Sequence, residues 1–214
     1  MKLSIALASF IVFSQISYAN ILTLDLSDKS IESVKLARSA SLKSESKDTK
    51  LDFIGAGLRL KKVLVANVKV YVAQLLADNA GKFVRSNDGA LKSINEMETI
   101  AFTLSFLRDV DGPTVSKAFE DSFDANNVDI NNQAIASFLN AVKVSGQADN
   151  GKTMTIVLRK IENSKVEISY EATNGKLTKI VGDATAFSSI ASIWLGESAD
   201  AGLANLKSAI IKGE

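Results

Sequence analysis

From residue 50 onward, apolar and polar positions follow two rhythms, and each predicts an element type. Leu51, Phe53 and Ile54 open a strand, and Gly55-Ala56-Gly57 predicts a flexible break. Leu58 to Val65 forms a second strand, Ala66-Asn67 a turn, and Val68 to Leu76 a third strand. Strand side chains alternate, so Val68, Val70 and Val72 fall on one face and Lys69, Tyr71 and Ala73 on the other. Asp78-Asn79-Ala80-Gly81 is turn chemistry, and Thr99 to Leu107 is apolar enough for a buried strand. Met154 to Ile161 and Val166 to Ala172 pair about Glu162-Asn163-Ser164, and Thr173-Asn174-Gly175 leads into a short strand, Leu177 to Val181.

Four segments have helical spacing. Asp111-Gly112-Pro113 is a helix start, followed by Val115, Ala118, Phe119, Ser122 and Phe123 on one face. Asn131 caps a second helix with the stripe Ile135, Phe138, Leu139 and Val142, and Gly146 stops it. Asp183 caps a third helix, which buries Phe187, Ile190, Ala191, Trp194 and Leu195 and ends at Gly196. Asp200 caps the last, with Leu203, Leu206 and Ile210 inward.

Residues 25–50 are polar and rich in Ser and Lys. Ser30 to Ala40 has weak helical spacing, Ser41 to Lys50 reads as a solvated loop or an edge strand, and a plain surface segment is the simplest expectation. Residues 1–19 have Lys2, an apolar run from Leu3 to Phe13, and small residues at Ser17 and Ala19. That pattern predicts a signal peptide cut after Ala19, leaving 20–214 as one domain in the periplasm or secreted. No later apolar run approaches the ~20 residues of a membrane helix, so no stable membrane anchor is expected. The order of strands and helices, with tight turns between strands, predicts an α+β fold: an antiparallel sheet with helices against one face.

Composition narrows the chemistry. The 214 residues include no Cys and no His, with 25 Lys+Arg against 24 Asp+Glu. Thiol nucleophiles, disulfides, thiolate metal sites and histidine triads are excluded. A net charge of +1 gives no electrostatic case for nucleic acid. Glu96, Glu98, Asp109, Asp111, Glu120 and Asp121 match no calcium loop, so no metal and no cofactor is expected. Gly55-Ala56-Gly57 lacks the third glycine and following helix of a dinucleotide loop. Arg108-Asp109 reads as a local ion pair or helix-entry device, and Trp194 as core. Arg59 and Tyr71 stand out. Both flank apolar strand positions, and a planar fork plus a phenol can hold an acidic head group at the mouth of an apolar cleft. The alternative is an ordinary surface arginine with a tyrosine covering the sheet.

Three segments carry a wider pattern. Phe53-Ile54-Gly55-Ala56-Gly57-Leu58-Arg59, followed by Val68 to Leu75, resembles the opening of the chalcone isomerase-like family. Phe106-Leu107-Arg108-Asp109-Val110 resembles its middle strand and next helix start, and Ile193-Trp194-Leu195-Gly196-Glu197 with Ala199-Asp200 its C-terminal segment in bacterial members. The resemblance implies an open-faced β-sandwich, a large antiparallel sheet covered by helices with a ligand cleft between. The family's enzymes use an Arg to stabilise an enolate, with Thr, Tyr and Asn residues around it. The Arg falls on Arg59 and the first Thr on Tyr71. The Tyr falls on Val115, the Asn on Ser122 and the late Thr near Ile193. Val115 and Ile193 have no side-chain donor, so chalcone cyclisation is not expected.

Fatty-acid-binding relatives keep an Arg and a nearby Tyr for a carboxylate, and Arg59 with Tyr71 is similar to that pair. The resemblance therefore implies a non-catalytic binding protein for a small amphipathic molecule, a fatty acid or similar carboxylate. The alternatives are an intramolecular lyase or isomerase in which Arg59 stabilises an enolate, and a binder of a larger flat ligand such as haem, held by Tyr or Met.

Overall fold

A computed structural model describes residues 20–43 and 48–213. The predicted signal peptide and part of the 41–50 segment lie outside the described residues. The described residues form ten strands: β1 Leu22–Ile31, β2 Val34–Leu42, β3 Thr49–Val63, β4 Ala66–Ala77, β5 Thr99–Phe106, β6 Val110–Asp111, β7 Gln147–Ala148, β8 Thr153–Ile161, β9 Lys165–Glu171 and β10 Leu177–Asp183. Eight form one antiparallel sheet in the order β1-β2-β3-β4-β5-β8-β9-β10, and β6 pairs with β7 apart from it. The helices are a single turn, α1 Ala90–Ser93, then α2 Gly112–Ala125, α3 Gln133–Lys143, α4 Thr185–Leu195 and α5 Ala201–Lys212. This is the expected α+β fold, a large antiparallel sheet with helices on one face.

The helix-facing side of the sheet is almost wholly apolar. Ala73 and Leu75 on β4, Phe102 and Leu104 on β5, and Ile156 on β8 pack under Phe119, Phe138, Ile190 and Trp194 from α2, α3 and α4. The caps act where the sequence places them, or one residue away. Asp111 accepts from the Thr114 N–H and Asp200 from the Leu203 N–H. For α3 the cap is Asn132, not Asn131, because the Asn132 side chain reaches the Ala134 and Ile135 N–H groups. Asp183 accepts from the Thr185 N–H, just ahead of α4.

Within the polar segment before residue 50, residues 25–42 are strand apart from the Glu32-Ser33 turn, not helix. They fold as the β1–β2 hairpin about Glu32-Ser33, and the Ala37 N–H donates to Gln74 Oε1 on β4 at 2.7 Å. Leu36 is buried with Ala56 and Val72, so β2 covers the sheet face away from the helices. Leu36 and Ala37 are buried in succession, so β2 shows no strict alternation in its sequence.

The glycine break is also absent. β3 runs unbroken through Gly55 and Gly57 for 15 residues. A Cβ on Gly55 would strike the Ile210 carbonyl, and one on Gly57 would lie 2.8 Å from the Leu206 side chain. These glycines let α5 lie directly on the strand; they do not turn it.

A second departure concerns β4. Arg59 faces Tyr71 while Leu60 faces Lys69, which leaves Val70 as an extra residue in a bulge. Strict alternation fails there. Val72 joins the outer cluster, whereas Val70 packs against the main core beside Tyr71.

Candidate functional site

One cavity of about 430 Å³ opens between the end of the β3–β4 hairpin and the start of α2. That size lies within the usual range for small-molecule pockets. Val70, Phe106, Val115, Phe119, Ile193 and Leu203 give it apolar walls. Arg59 and Tyr71 both line it, and they are direct cross-strand partners. The side chains that the sequence could only nominate therefore meet in one place. Val115, Ser122 and Ile193 line the same cavity, so all five positions marked by the resemblance converge.

Arg59 is buried at 7% exposure, and its charge is compensated. Nη1 and Nη2 each donate to a carboxylate oxygen of Asp200 at 2.7 Å, and Nη1 also donates to the Leu60 carbonyl. A guanidinium has five N–H donors. Nε–H and the second N–H of Nη2, which together form its other edge, are not used by Asp200, and Arg59 also interacts with the Tyr71 hydroxyl. Asp200 thus fixes one edge of the fork and leaves a second edge for an incoming carboxylate.

Burial by itself would push the Asp200 carboxyl up. Hydrogen bonds from Arg59, Lys61 and the Leu203 N–H outweigh that and hold it well below the ordinary carboxylate range. Asp200 is both the cap of α5 and the orienter of Arg59, and the backbone accommodates this closely. A Cβ on Gly202 would collide with the Leu60 carbonyl and lie 2.6 Å from Arg59 Nη1.

Tyr71 is buried with its ring edge-on to Phe106, centroids 5.6 Å apart. Its hydroxyl accepts from Trp194 Nε1–H at 3.3 Å, which leaves its own proton for another acceptor. Burial pushes the phenol up, and the nearby Arg59 charge opposes that. The group stays neutral at ordinary pH and acts as a donor. Trp194 stacks on Phe102 with centroids 4.3 Å apart, so the donor that holds Tyr71 is itself fixed in the core.

At the rim, of the two readings for Arg108-Asp109, ion pair or helix-entry device, the ion pair does not form. Asp109 accepts from the Asn150 N–H at 2.8 Å, and Arg108 is exposed at the cavity edge with no partner among the described residues. Lys61 reaches Asp200 at 2.9 Å. Among the described residues no cluster of three or more acidic side chains is placed to hold a metal, and no helix is long and apolar enough to cross a membrane.

Sequence reasoning missed the second role of Asp200 and the tie from Trp194 to Tyr71. Both act across more than 120 residues, and no spacing rule signals such pairings.

Comparison with known proteins places this geometry in a family. The fold is similar to the crystal structure of a fatty-acid binding protein of Arabidopsis thaliana, with a TM-score of 0.55 and 16% identity over 80% of this chain and 95% of that one. No curated protein sequence matches. The model of the chalcone isomerase-like family matches residues 28–211. That match spans the sheet, the cavity and all four long helices, and the chain belongs to the chalcone isomerase-like family.

Proposed function

We propose that the protein binds a small amphipathic carboxylate, of fatty-acid type, in the cavity between sheet and helices. The carrying observation is the edge of Arg59 that Asp200 leaves unused, beside the Tyr71 hydroxyl in a cavity with apolar inner walls and a charged rim. The carboxylate would take the Nε/Nη2 edge and the phenolic proton, while the acyl chain replaces water against Val70, Phe106, Phe119 and Leu203. Each buried methylene contributes about 0.8 kcal/mol. Binding is favoured over cyclisation because the walls offer Val115 and Ile193 where enolate chemistry needs donors. The similarity to a fatty-acid binding protein agrees with this choice. The reading takes the chain as exported to the periplasm with residues 1–19 removed, and the intact mass of the secreted protein checks that cut.

Calorimetric titration with a long-chain fatty acid tests the site. One saturable site is expected, and Arg59→Gln should weaken it at least about tenfold, the scale of a charged hydrogen bond. Tyr71→Phe keeps the packing and should weaken it a few-fold. Full affinity in Arg59→Gln would overturn the proposed head-group contact.

A further inference from the structure

The tip of the β3–β4 hairpin inverts ordinary turn chemistry. Val63, Leu64 and Val65 are 52%, 90% and 98% exposed. After Leu64 and Val65, the most exposed large apolar side chain among the described residues is Val144, at 60%. Leu64 has a φ of 55°, a conformation for which hairpins ordinarily use glycine or asparagine. The other two tight hairpins of the same sheet turn on Glu32-Ser33 and Asn163-Ser164, polar pairs at positive φ. Among the described residues, only this turn places two large aliphatic side chains at 90% exposure or more.

The hairpin is also free of acid. From Phe53 to Ala77 the charged residues are Arg59, Lys61, Lys62 and Lys69. Lys61 and Lys69 make solvent-exposed pairs with Asp200 and Glu32, which are weak, and Lys62 has no partner among the described residues. Arg108 adds a cation without a side-chain partner on the nearby cavity rim, where the exposed Asp109 and Asp111 accept from the Asn150 and Thr114 N–H groups. Val63, Val68 and Lys61 belong to the cavity wall, so tip and cavity mouth are continuous. Asn20, the first described residue, lies at the far end of β1 from Glu32, the partner of Lys69.

The geometry points to a membrane-docking tip: Val63, Leu64 and Val65 enter the interface of an anionic phospholipid bilayer, and Lys61, Lys62, Lys69 and Arg108 meet its phosphates. A two-residue turn is too narrow and convex to supply the roughly 1,000 Å² that a specific protein interface needs. It is well shaped to insert a few apolar side chains among lipid head groups, with lysine stems lying along the boundary. Docking there sets the cavity mouth at the lipid–water boundary, where an amphipathic ligand would exchange. That last point rests on the proposed function; the docking itself does not.

Flotation with vesicles of phosphatidylcholine alone, or mixed with phosphatidylglycerol, tests the proposal. The protein is purified after expression of the full chain, and its intact mass is recorded. Wild type is expected to float with the mixed vesicles, and the double variant Leu64→Gly with Val65→Ser about tenfold less. That variant supplies a relaxed turn, so its Tm should hold or rise. A Leu64→Trp variant gives an independent readout: brominated lipid should quench its new emission, because Trp194 is buried away from the tip. No flotation of wild type on mixed vesicles, or equal flotation of the double variant, overturns docking. Equal flotation on both vesicle types overturns the role of the cations. Vesicle binding is measured without fatty acid, so its failure is distinguishable from failure of the cavity to bind one.

Discussion

Arg59 combines two requirements that usually conflict. A buried guanidinium needs a counter-charge, and a ligand-binding guanidinium needs free donors. Asp200 meets the first through one edge of the fork and leaves the second available. Asp200→Asn tests this division, since asparagine caps a helix as well as aspartate does but lacks the charge. We expect a loss of about 2–3 kcal/mol, below the full effect of breaking a fully buried pair because Asp200 is 29% exposed. The pH response follows from the depressed Asp200 carboxyl. Its contribution is complete above the unfolded-state value and disappears as pH falls below about 4 toward the folded-state one. Urea unfolding at a series of pH values should show wild type losing stability in acid, with a flatter profile for the variant. Arg59 and Tyr71 were legible because each is a polar side chain of distinctive chemistry in an apolar strand. Asp200 was legible only as a cap, since nothing local announces a partner on β3.

At the scale of elements, α5 lies on β3 through bare backbone at Gly55 and Gly57. Gly57→Ala should destabilise by about 1–3 kcal/mol, because the new methyl meets the flexible Leu206 side chain. Gly55→Ala should cost more, since the obstruction there is the Ile210 carbonyl and helix backbone cannot step aside. Chemical denaturation of both variants checks the order. The four long helices were legible from their apolar stripes, most sharply where a cap agrees, as with Asp111 and the face Val115, Phe119 and Phe123. The β1–β2 hairpin was not, because few of its residues are buried, two of those, Leu36 and Ala37, are consecutive, and register shifts around Leu26 break the alternation. The glycines were misread for a related reason. A sequence shows where a Cβ is missing, not whether the space is filled by a turn or by another element. The Val70 bulge is likewise set by register between two strands, which neither strand shows alone.

Over the whole molecule, the cavity exists because the helix layer leaves the end of the β3–β4 hairpin uncovered. The sheet's other face is closed by β1 and β2, whose Leu22, Ala37, Ala40 and Leu42 pack on Leu51, Leu76, Ala101 and Val157. A ligand that fills the cavity therefore joins sheet, α2, α4 and α5 at once and stabilises only the folded chain. At a hundred times its dissociation constant it adds about 2.7 kcal/mol. For a chain of this size that corresponds to a rise in Tm of roughly 5–10 °C. Differential scanning calorimetry with and without fatty acid measures it, and Arg59→Gln should abolish most of the shift at the same ligand concentration.

The hydrogen bond from Trp194 to Tyr71 has an optical consequence. Trp194 is the chain's single tryptophan, and its indole N–H ends on the hydroxyl that faces the cavity. Its emission therefore comes from one known place and responds to the polarity around one known atom. When a carboxylate accepts a hydrogen bond from the Tyr71 hydroxyl, the phenol oxygen becomes a stronger acceptor and the indole's excited-state energy shifts with it. The native protein carries its own fluorophore for cavity occupancy, without a label.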